Sequence, residues 1–256
     1  MTLSNQSVGR TIKKMSKTKP TPAGKPLQKK ARSAVSLDMQ AYEAIKDRIL
    51  TLFFLPGQYV NEGAVATMLK LGRTPVHHAL QRLQIEGLVE IIPRKGIVIR
   101  PDSVAEILKI LESRETVEPD LARNAAEHAP VSEMDALRAL ARAVDRNEET
   151  GAVEAFTRAD RAFHARVAAL SGNPVLAEFA GRLHDRSTRF WYLHLWQTMD
   201  PEATAREHSA IADAIAARDS AAAAAAMRDH IGRLKERVTK IQLISSANQL
   251  SLSRGR

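Results

Sequence analysis

The stretch RTPVHHALQRLQIEGLVEIIPRKGIVI, residues 73–99, decides the fold of the N-terminal part of the chain. Thr74 is a good N-cap and Pro75 suits a first helical position. Apolar residues then recur at helical spacing until a glycine ends the helix. Two short apolar runs, 88–92 and 97–99, flank a Pro-Arg-Lys-Gly turn and have the composition of strands. The stretch therefore predicts a helix followed by a two-stranded hairpin.

Two further helices are predicted before this stretch. Residues 38–52 carry Tyr42, Ile45 and Ile49 at helical spacing, and residues 61–70 form a shorter second helix. Three helices followed by a hairpin make a winged helix-turn-helix, whose third helix enters the major groove of DNA. We predict this domain for residues 37–102.

The remainder of the chain has the apolar periodicity of helices throughout. Pro119 is expected to kink or split the first of them. These helices should form an antiparallel bundle over residues 103–244, followed by a C-terminal tail, 245–256. The predicted fold class is therefore mainly α, a winged helix-turn-helix followed by an all-α bundle. The helices are predicted near 103–117, 119–128, 132–149, 152–170, 175–198, 201–217 and 220–243.

Charge is unevenly distributed along the chain. Residues 1–36 hold nine of the 38 Lys and Arg residues and none of the 29 Asp and Glu residues, so residues 37–256 hold 29 of each. The basic segment is too polar to bury a core and is predicted to be a disordered tail. It is either a solubilising extension or an arm that is attracted to DNA phosphates.

Several classes of protein are disfavoured by composition. The chain has no Cys, which excludes a disulfide framework and a thiolate metal site. No apolar run approaches the roughly 18 residues of a membrane span, and the N-terminus lacks the apolar region of a secretory signal. We expect a cytoplasmic protein without a membrane partner.

Four side chains in the bundle could bind a metal ion together. Asp160 and His164 are four residues apart and share one face of a helix. His208 and His230 lie on two runs joined by a polar turn near Arg218, ten residues before it and 12 after it, so an antiparallel hairpin places them at one level. One carboxylate and three imidazoles suit a divalent ion such as Zn, Ni or Mn. The alternative is that each histidine is an ordinary surface or core residue.

The N-terminal motifs resemble the DNA-binding domain of GntR-type bacterial regulators. The resemblance rests on Pro56-Gly57, Arg73-Thr74-Pro75-Val76, Glu86-Gly87-Leu88-Val89 and Pro93-Arg94-Lys95-Gly96. It departs at Gly72, where the family has Ser, and at His77-His78, where the family has Arg-Glu. A neutral imidazole donates fewer hydrogen bonds than a guanidinium, so operator preference is expected to differ. The resemblance implies double-stranded operator DNA as partner and contacts from Arg73, Thr74, Pro75, His77, His78, Arg94, Lys95 and Gly96.

The second half resembles the FCD ligand-binding domain of the FadR branch of that family. The residues that carry this resemblance are Arg114 with Glu118, Asp160 with His164, Gly172-Asn173, Glu207-His208 and His230-Ile231. The resemblance places Asp160, His164, His208 and His230 on the family's metal-ligand positions. It also implies a homodimer, a repressor and a small organic-acid effector that binds beside the metal.

Three residues are candidates for effector contact. By resemblance, Arg114 points into the effector cavity, and its alternative is an ion pair with Glu118 at i+4. Trp191 belongs to an aromatic cluster that either packs in the core or lines the cavity. Arg189 either adds an anion contact or is exposed to solvent.

The sequence thus supports a DNA-binding regulator that is controlled by a small molecule. The alternative from another class is a metal-dependent enzyme in which the Asp/His3 site activates water. No nucleophile elbow and no phosphate-binding loop accompanies that site. An architectural DNA binder is a third hypothesis, to which the neutral body of the chain is poorly suited.

Overall fold

The computed structural model describes residues 36–143, 152–194 and 200–254. Of the predicted basic tail, only Ser36 lies inside these ranges. The helices of this part are α1 Leu37–Leu50, α2 Glu62–Leu69, α3 Arg73–Ile85, α4 Val104–His128, α5 Met134–Ala143, α6 Ala152–Leu170, α7 Pro174–His194, α8 Pro201–Ala216 and α9 Ser220–Arg254. The strands are β1 Tyr59–Val60, β2 Val89–Ile92 and β3 Gly96–Ile99.

The first three helices form the predicted helix-turn-helix core. The Ser36 side chain accepts a hydrogen bond from the Met39 amide and caps α1, and Asn61 caps α2 in the same way. The apolar faces of α1 and α3 pack against each other and against the sheet. The fully buried members of this core include Ile45, Ile49, Val76, Leu80, Leu83 and Ile99.

The third helix begins earlier than predicted. α3 starts at Arg73, and Gly72 occupies the N-cap position without a side-chain hydrogen bond, whereas the sequence suggested Thr74 as the cap. The extended backbone of Gly72 leads directly into the helix, so Thr74 already lies in its first turn. Thr74 is exposed on the surface of the helix-turn-helix.

The wing contains one strand more than the two that were predicted. β2 and β3 pair as an antiparallel hairpin, and β1 adds to the other edge of β3, with Tyr59 opposite Val98. Gly96 lies at φ +106°, and a Cβ there would approach the Val60 carbonyl oxygen to 3.2 Å. Glycine at this position therefore allows β1 to pair closely with the turn of the wing.

The second half is the predicted helical bundle. Ser103 accepts a hydrogen bond from the Glu106 amide and caps α4, which packs against α6, α7, α8 and α9. α5 packs against α6 and α8 and closes the bundle on that side. The core between these helices is apolar and includes Ile107, Leu111, Phe163, Ile211 and Ile231.

The expected break at Pro119 is absent, and a single helix, α4, runs through this residue. Proline in a helix interior removes one backbone hydrogen bond and costs about 3 kcal/mol. Pro119 is buried, and α4 packs against several helices of the bundle. Tertiary packing therefore outweighs the local preference, and the predicted division into 103–117 and 119–128 is wrong.

Other helix ends differ from the predictions by a few residues. α9 continues to Arg254, past the predicted end at 243, so most of the expected C-terminal tail is helical. α5 ends at Ala143 and α7 at His194, and the predicted extensions of these helices to 149 and 198 fall on residues outside the described ranges. The predicted turn between α8 and α9 is present, with Arg218 at φ +60° and the Asp219 carboxylate capping α9.

Ion pairs fix the junction between the winged helix and the bundle. The side chain of Asp102, the last residue of the predicted winged helix-turn-helix domain, accepts hydrogen bonds from Arg186 and Arg189 of α7. The Lys46 ammonium of α1 lies 2.5 Å from Asp185 Oδ2 on α7 and 3.0 Å from Glu86 Oε2 at the end of α3. All three residues of this second group are buried, so the two halves share a charged core.

Candidate functional site

The structure brings the four predicted metal ligands together. Asp160 and His164 come from α6, His208 from α8 and His230 from α9, and one ligand atom from each lies within 4.8 Å of all the others. The three histidines are buried and Asp160 is nearly so. His208 Nε2 lies 3.4 Å from Asp160 Oδ1, and His164 Nε2 lies 3.9 Å from the same oxygen. The i, i+4 pair and the hairpin geometry therefore converge as the sequence predicted.

Two carboxylates behind the cluster orient its imidazoles. His164 Nδ1 lies 2.7 Å from Glu118 Oε2, and His230 Nδ1 lies 2.7 Å from Glu207 Oε2. An ionised carboxylate only accepts hydrogen bonds, so each Nδ1 carries the proton and each Nε2 keeps its lone pair. Carboxylates commonly hold metal-binding histidines in this way.

The ring nitrogen atoms of the cluster that have no hydrogen-bond partner indicate whether its residues suit a metal ion. The Nε2 atoms of His164, His208 and His230 are buried and have no hydrogen-bond partner among the described residues. Buried polar atoms are rarely left without a hydrogen-bond partner. Three unpaired nitrogen atoms around one carboxylate therefore need an explanation, and a bound cation provides one. Three imidazole lone pairs and one carboxylate are a ligand set for a borderline divalent ion, so the residues fit such an ion.

The pKa shifts of the histidines also favour a metal ion in this cluster. Burial lowers the pKa of His208, and the neighbouring His230 lowers it further. Burial also lowers the pKa of His230 and outweighs the hydrogen bond from Glu207, which raises it. Burial raises the pKa of the Glu118 carboxyl, but the charges and hydrogen bonds of Arg114 and His164 together outweigh burial and hold that pKa well below its ordinary value. Near pH 7 the imidazoles of His208 and His230 are thus neutral, which is the form that binds metals.

A fourth histidine lies beside the three of the cluster and was not predicted. His184 of α7 is buried, its Nε2 lies 3.1 Å from Asp160 Oδ2, and its ring centroid lies 4.6 Å from that of His164. Burial lowers the pKa of His184 to about 4, helped by the charge of Arg114. Nothing in the spacing of the sequence places α7 against α6 in this register, so only the packed structure identifies the residue.

The three predicted effector residues are held by other side chains. Arg114 is buried and donates to both oxygens of Glu118, at 2.5 and 3.3 Å, and to Ser187, so the i+4 ion pair is present. Arg189 is buried against Asp102 at the junction. Trp191 packs in the bundle core, and its indole nitrogen has no partner among the described residues. Effector contact by these three residues stays a prediction.

A cavity of about 250 Å³ adjoins the metal-ligand cluster. Its lining in the bundle includes His164, His184 and Glu118. Its lining also includes Tyr42, Lys46, Arg82 and Glu86 of the winged helix. A molecule bound in this cavity would therefore touch residues of both halves of the chain.

The predicted DNA contacts are on the surface, at the start of α3 and at the tip of the wing. Arg73, Thr74, His77 and His78 are exposed and Pro75 is half-buried. His77 Nδ1 lies 3.0 Å from Glu62 Oε2, and His78 Nδ1 lies 3.2 Å from Asp38 Oδ2. On the wing, Arg94 and Lys95 are exposed beside the half-buried Gly96.

Comparison with known proteins assigns the two halves to two families of domains. The model described as bacterial regulatory proteins, gntR family, matches residues 37–99, and the FCD domain model matches residues 109–233. No helix in the described part of the chain is long and apolar enough to span a membrane.

Individual relatives agree with these matches. An uncharacterized HTH-type transcriptional regulator of Agrobacterium vitis, from the TAR-I ttuE-ttuC' intergenic region, is 40% identical over 131 residues, covering 48% of this chain and 74% of the relative. The HTH-type transcriptional repressor GlaR of Escherichia coli K12 is 27% identical over 219 residues, covering 82% and 96%. The solved structure of E. coli McbR/YncC has the same fold, with a TM-score of 0.71 at 19% identity over 82% of this chain and 100% of that one.

The gntR family model and the curated relatives are described as regulators of transcription and not as enzymes, which favours the regulator over the metal-dependent enzyme. Along the chain, the match to the gntR family covers the winged helix-turn-helix, and the match to the FCD domain covers the helical bundle that follows it. It belongs to the GntR family of bacterial regulatory proteins and is a DNA-binding transcriptional regulator.

Proposed function

We propose that this regulator represses transcription in the cytoplasm by binding operator DNA as a homodimer, and that a small carboxylate bound beside a divalent metal controls this binding. The observation that carries the proposal is a cavity that adjoins the metal-ligand cluster and also reaches α1 and α3. A ligand in that position can interact differently with two arrangements of the winged helix, which is the requirement for control. The name of GlaR as a repressor supports the direction of regulation.

Asp160, His164, His208 and His230 would hold the metal ion in this proposal. Three nitrogen donors and one carboxylate suit Zn, Ni or Mn better than Mg or Ca. A bound ion would supply a Lewis-acidic position that a carboxylate can occupy. Glu118 and Glu207 would keep two imidazoles in the tautomer that leaves Nε2 free for the ion.

The cavity favours a small anionic effector. Its volume of about 250 Å³ is below the 300–1,000 Å³ typical of drug-sized sites, which favours a compact metabolite. Lys46, Arg82 and Arg161 contribute cationic side chains to the lining, where they pair with the carboxylates of Glu86 and Asp185. An anionic effector would therefore compete with these carboxylates for the cations. Hydrogen bonds between such groups and carboxylates are among the strongest in proteins. Contacts from Arg114, Arg189 and Trp191 would require these side chains to leave their present partners.

The DNA-binding half of the proposal follows from the exposed start of α3. In a helix-turn-helix protein the N-terminal residues of the recognition helix contact base edges in the major groove. Arg73, Thr74, Pro75, His77 and His78 lie on that part of α3. Arg94 and Lys95 on the wing would contact the adjacent backbone or minor groove. A homodimer would read a pseudo-palindromic operator with its two recognition helices.

The proposal is tested by titrating promoter DNA with the metal-loaded chain in the presence and absence of small carboxylates. We expect an effector to weaken DNA affinity by about 5- to 150-fold, the range typical of allosteric coupling. Reciprocity requires operator DNA to weaken effector affinity by the same factor. Ligands that saturate the cavity yet leave DNA affinity unchanged throughout would contradict this function.

Arg73→Ala is expected to weaken operator binding by about 1–3 kcal/mol, because a bidentate contact of arginine with a guanine edge is worth that much. The measurement is the dissociation constant for a promoter fragment at fixed salt concentration. Arg138→Ala is the matched control, since Arg138 pairs with Asp213 on the surface of the bundle, away from α3. Equal affinities of the wild type and the Arg73 variant would show that Arg73 does not contact the operator.

A further inference from the structure

His184 has the same unexplained nitrogen atom as the three histidines of the metal-ligand cluster. Its Nε2 is buried and has no hydrogen-bond partner among the described residues. This nitrogen lies only 3.1 Å from Asp160 Oδ2, but the two groups are not aligned as a hydrogen bond. The close approach of these two atoms therefore needs another cause.

The other ring nitrogen of His184 indicates which tautomer is present. Nδ1 lies 3.1 Å from the hydroxyl oxygen of Thr188. That hydroxyl donates its single proton to the His184 carbonyl oxygen, at 2.9 Å, and so accepts a hydrogen bond from Nδ1. In a neutral ring the proton is then on Nδ1, and Nε2 presents a lone pair to the Asp160 carboxylate.

A lone pair and a carboxylate oxygen repel each other at this distance unless a cation lies between them. His164 and His230 have the same arrangement, with Nδ1 bound to a carboxylate instead of a hydroxyl and Nε2 free. The rings of His164 and His184 are also neighbours, with centroids 4.6 Å apart. The free nitrogen atom of His184 therefore lies beside Oδ2 of the same Asp160 carboxylate whose Oδ1 is near the free nitrogen atoms of His164 and His208.

We propose that His184 is a fifth protein ligand of the metal ion, with Thr188 holding its ring in the ligating tautomer. This inference rests on the metal centre of the proposed function. Four imidazole nitrogens and one carboxylate favour an ion that accepts five or six ligands over a four-coordinate structural zinc. On an octahedral ion they leave one position, which a monodentate carboxylate or a water molecule would fill.

The number of coordinated imidazoles can be counted directly. Co²⁺ replaces the native ion in the full-length chain, and each coordinated histidine then gives one strongly shifted N–H proton signal that disappears in D₂O. We expect wild type to show four such signals, from His164, His184, His208 and His230, and His184→Gln to show three. His194→Ala is the control, because His194 is an exposed histidine of the same helix, and it should keep four.

Affinity measurements complete the test. His184→Gln should weaken Co²⁺ binding at least tenfold, and Thr188→Val, which removes only the orienting hydroxyl, should weaken it by about 10- to 100-fold. Three shifted signals in the wild type with one Co²⁺ bound per chain would overturn the role of His184 and leave the four-residue centre intact. A wild type that binds no Co²⁺ would overturn the metal centre itself. The wild-type count does not depend on the folding of any variant.

Discussion

Replacing His208 by alanine is expected to remove most of the metal from the chain and to abolish the increase in thermal stability that metal gives. His208 is fully buried, stacks on Phe163 with ring centroids 4.1 Å apart, and has both ring nitrogens unpaired among the described residues. An ion that binds only the folded chain stabilises it by about 2.7 kcal/mol when its concentration is about 100 times the dissociation constant. Loss of this ligand should remove that dependence on metal concentration.

The measurement is metal content by elemental analysis after gel filtration, together with melting curves over a metal titration. Alanine also leaves a cavity beside Phe163, so His208→Gln, which keeps more of the volume, separates loss of packing from loss of the ligand. His128→Ala, at the exposed end of α4, is the control and should keep both metal and its stabilising effect. Full metal occupancy in both His208 variants would show that this residue is not a ligand.

Replacing Lys46 by alanine is expected to lower the free energy of unfolding by about 3 kcal/mol, because it leaves two buried carboxylates short of a cation. Glu86 keeps Arg82 and Tyr42 as partners and Asp185 keeps Arg161, so the loss should lie at the lower end of the range for broken buried pairs. Denaturant unfolding at pH 7 measures it. Lys235→Ala removes a half-buried lysine at the surface, paired with Glu115, and should cost less than about 1 kcal/mol.

The effect of Lys46→Ala should depend on pH in a defined direction. Burial raises the pKa of Glu86, but Lys46, Tyr42 and Arg82 together outweigh burial, with Lys46 contributing most, and the pKa lies below its ordinary value of 4.5. A group with a lowered pKa stabilises the fold above its ordinary pKa, and this contribution is lost as pH falls. The difference between wild type and variant should therefore shrink below about pH 4.5. A difference that is constant from pH 7 to pH 3 would contradict the role of this ion pair.

The four predicted metal ligands could be found from the sequence because local rules place them. Asp160 and His164 are one helical turn apart, and the turn at Arg218 sets the register of His208 against His230. Each inference needs only one helix or one hairpin. The order of domains could be predicted for the same reason, since caps, glycines and apolar spacing mark the helices of the winged helix-turn-helix.

The remaining parts of the site depend on contacts between distant segments. Glu118 reaches His164 from 46 residues away in sequence, and His184 meets Asp160 only because α7 packs against α6 in one register. Strand β1 has two residues and is too short to show alternation. Pro119 was misjudged because its local cost is visible in the sequence, whereas the packing of α4 that compensates it is not.

The charged junction between the two halves limits how this regulator could exchange domains with its relatives. The buried Arg189 pairs with the carboxylate of Asp102, and Asp185 pairs with the ammonium of Lys46 as well as with Arg161. A recombinant that receives a foreign winged helix without Asp102 and Lys46 would leave Arg189 without its carboxylate and Asp185 with one cation fewer, and the loss of a partner from a buried pair is destabilising. New operator specificity is therefore expected to arise more readily by point substitution on the exposed face of α3 than by transfer of the whole DNA-binding half.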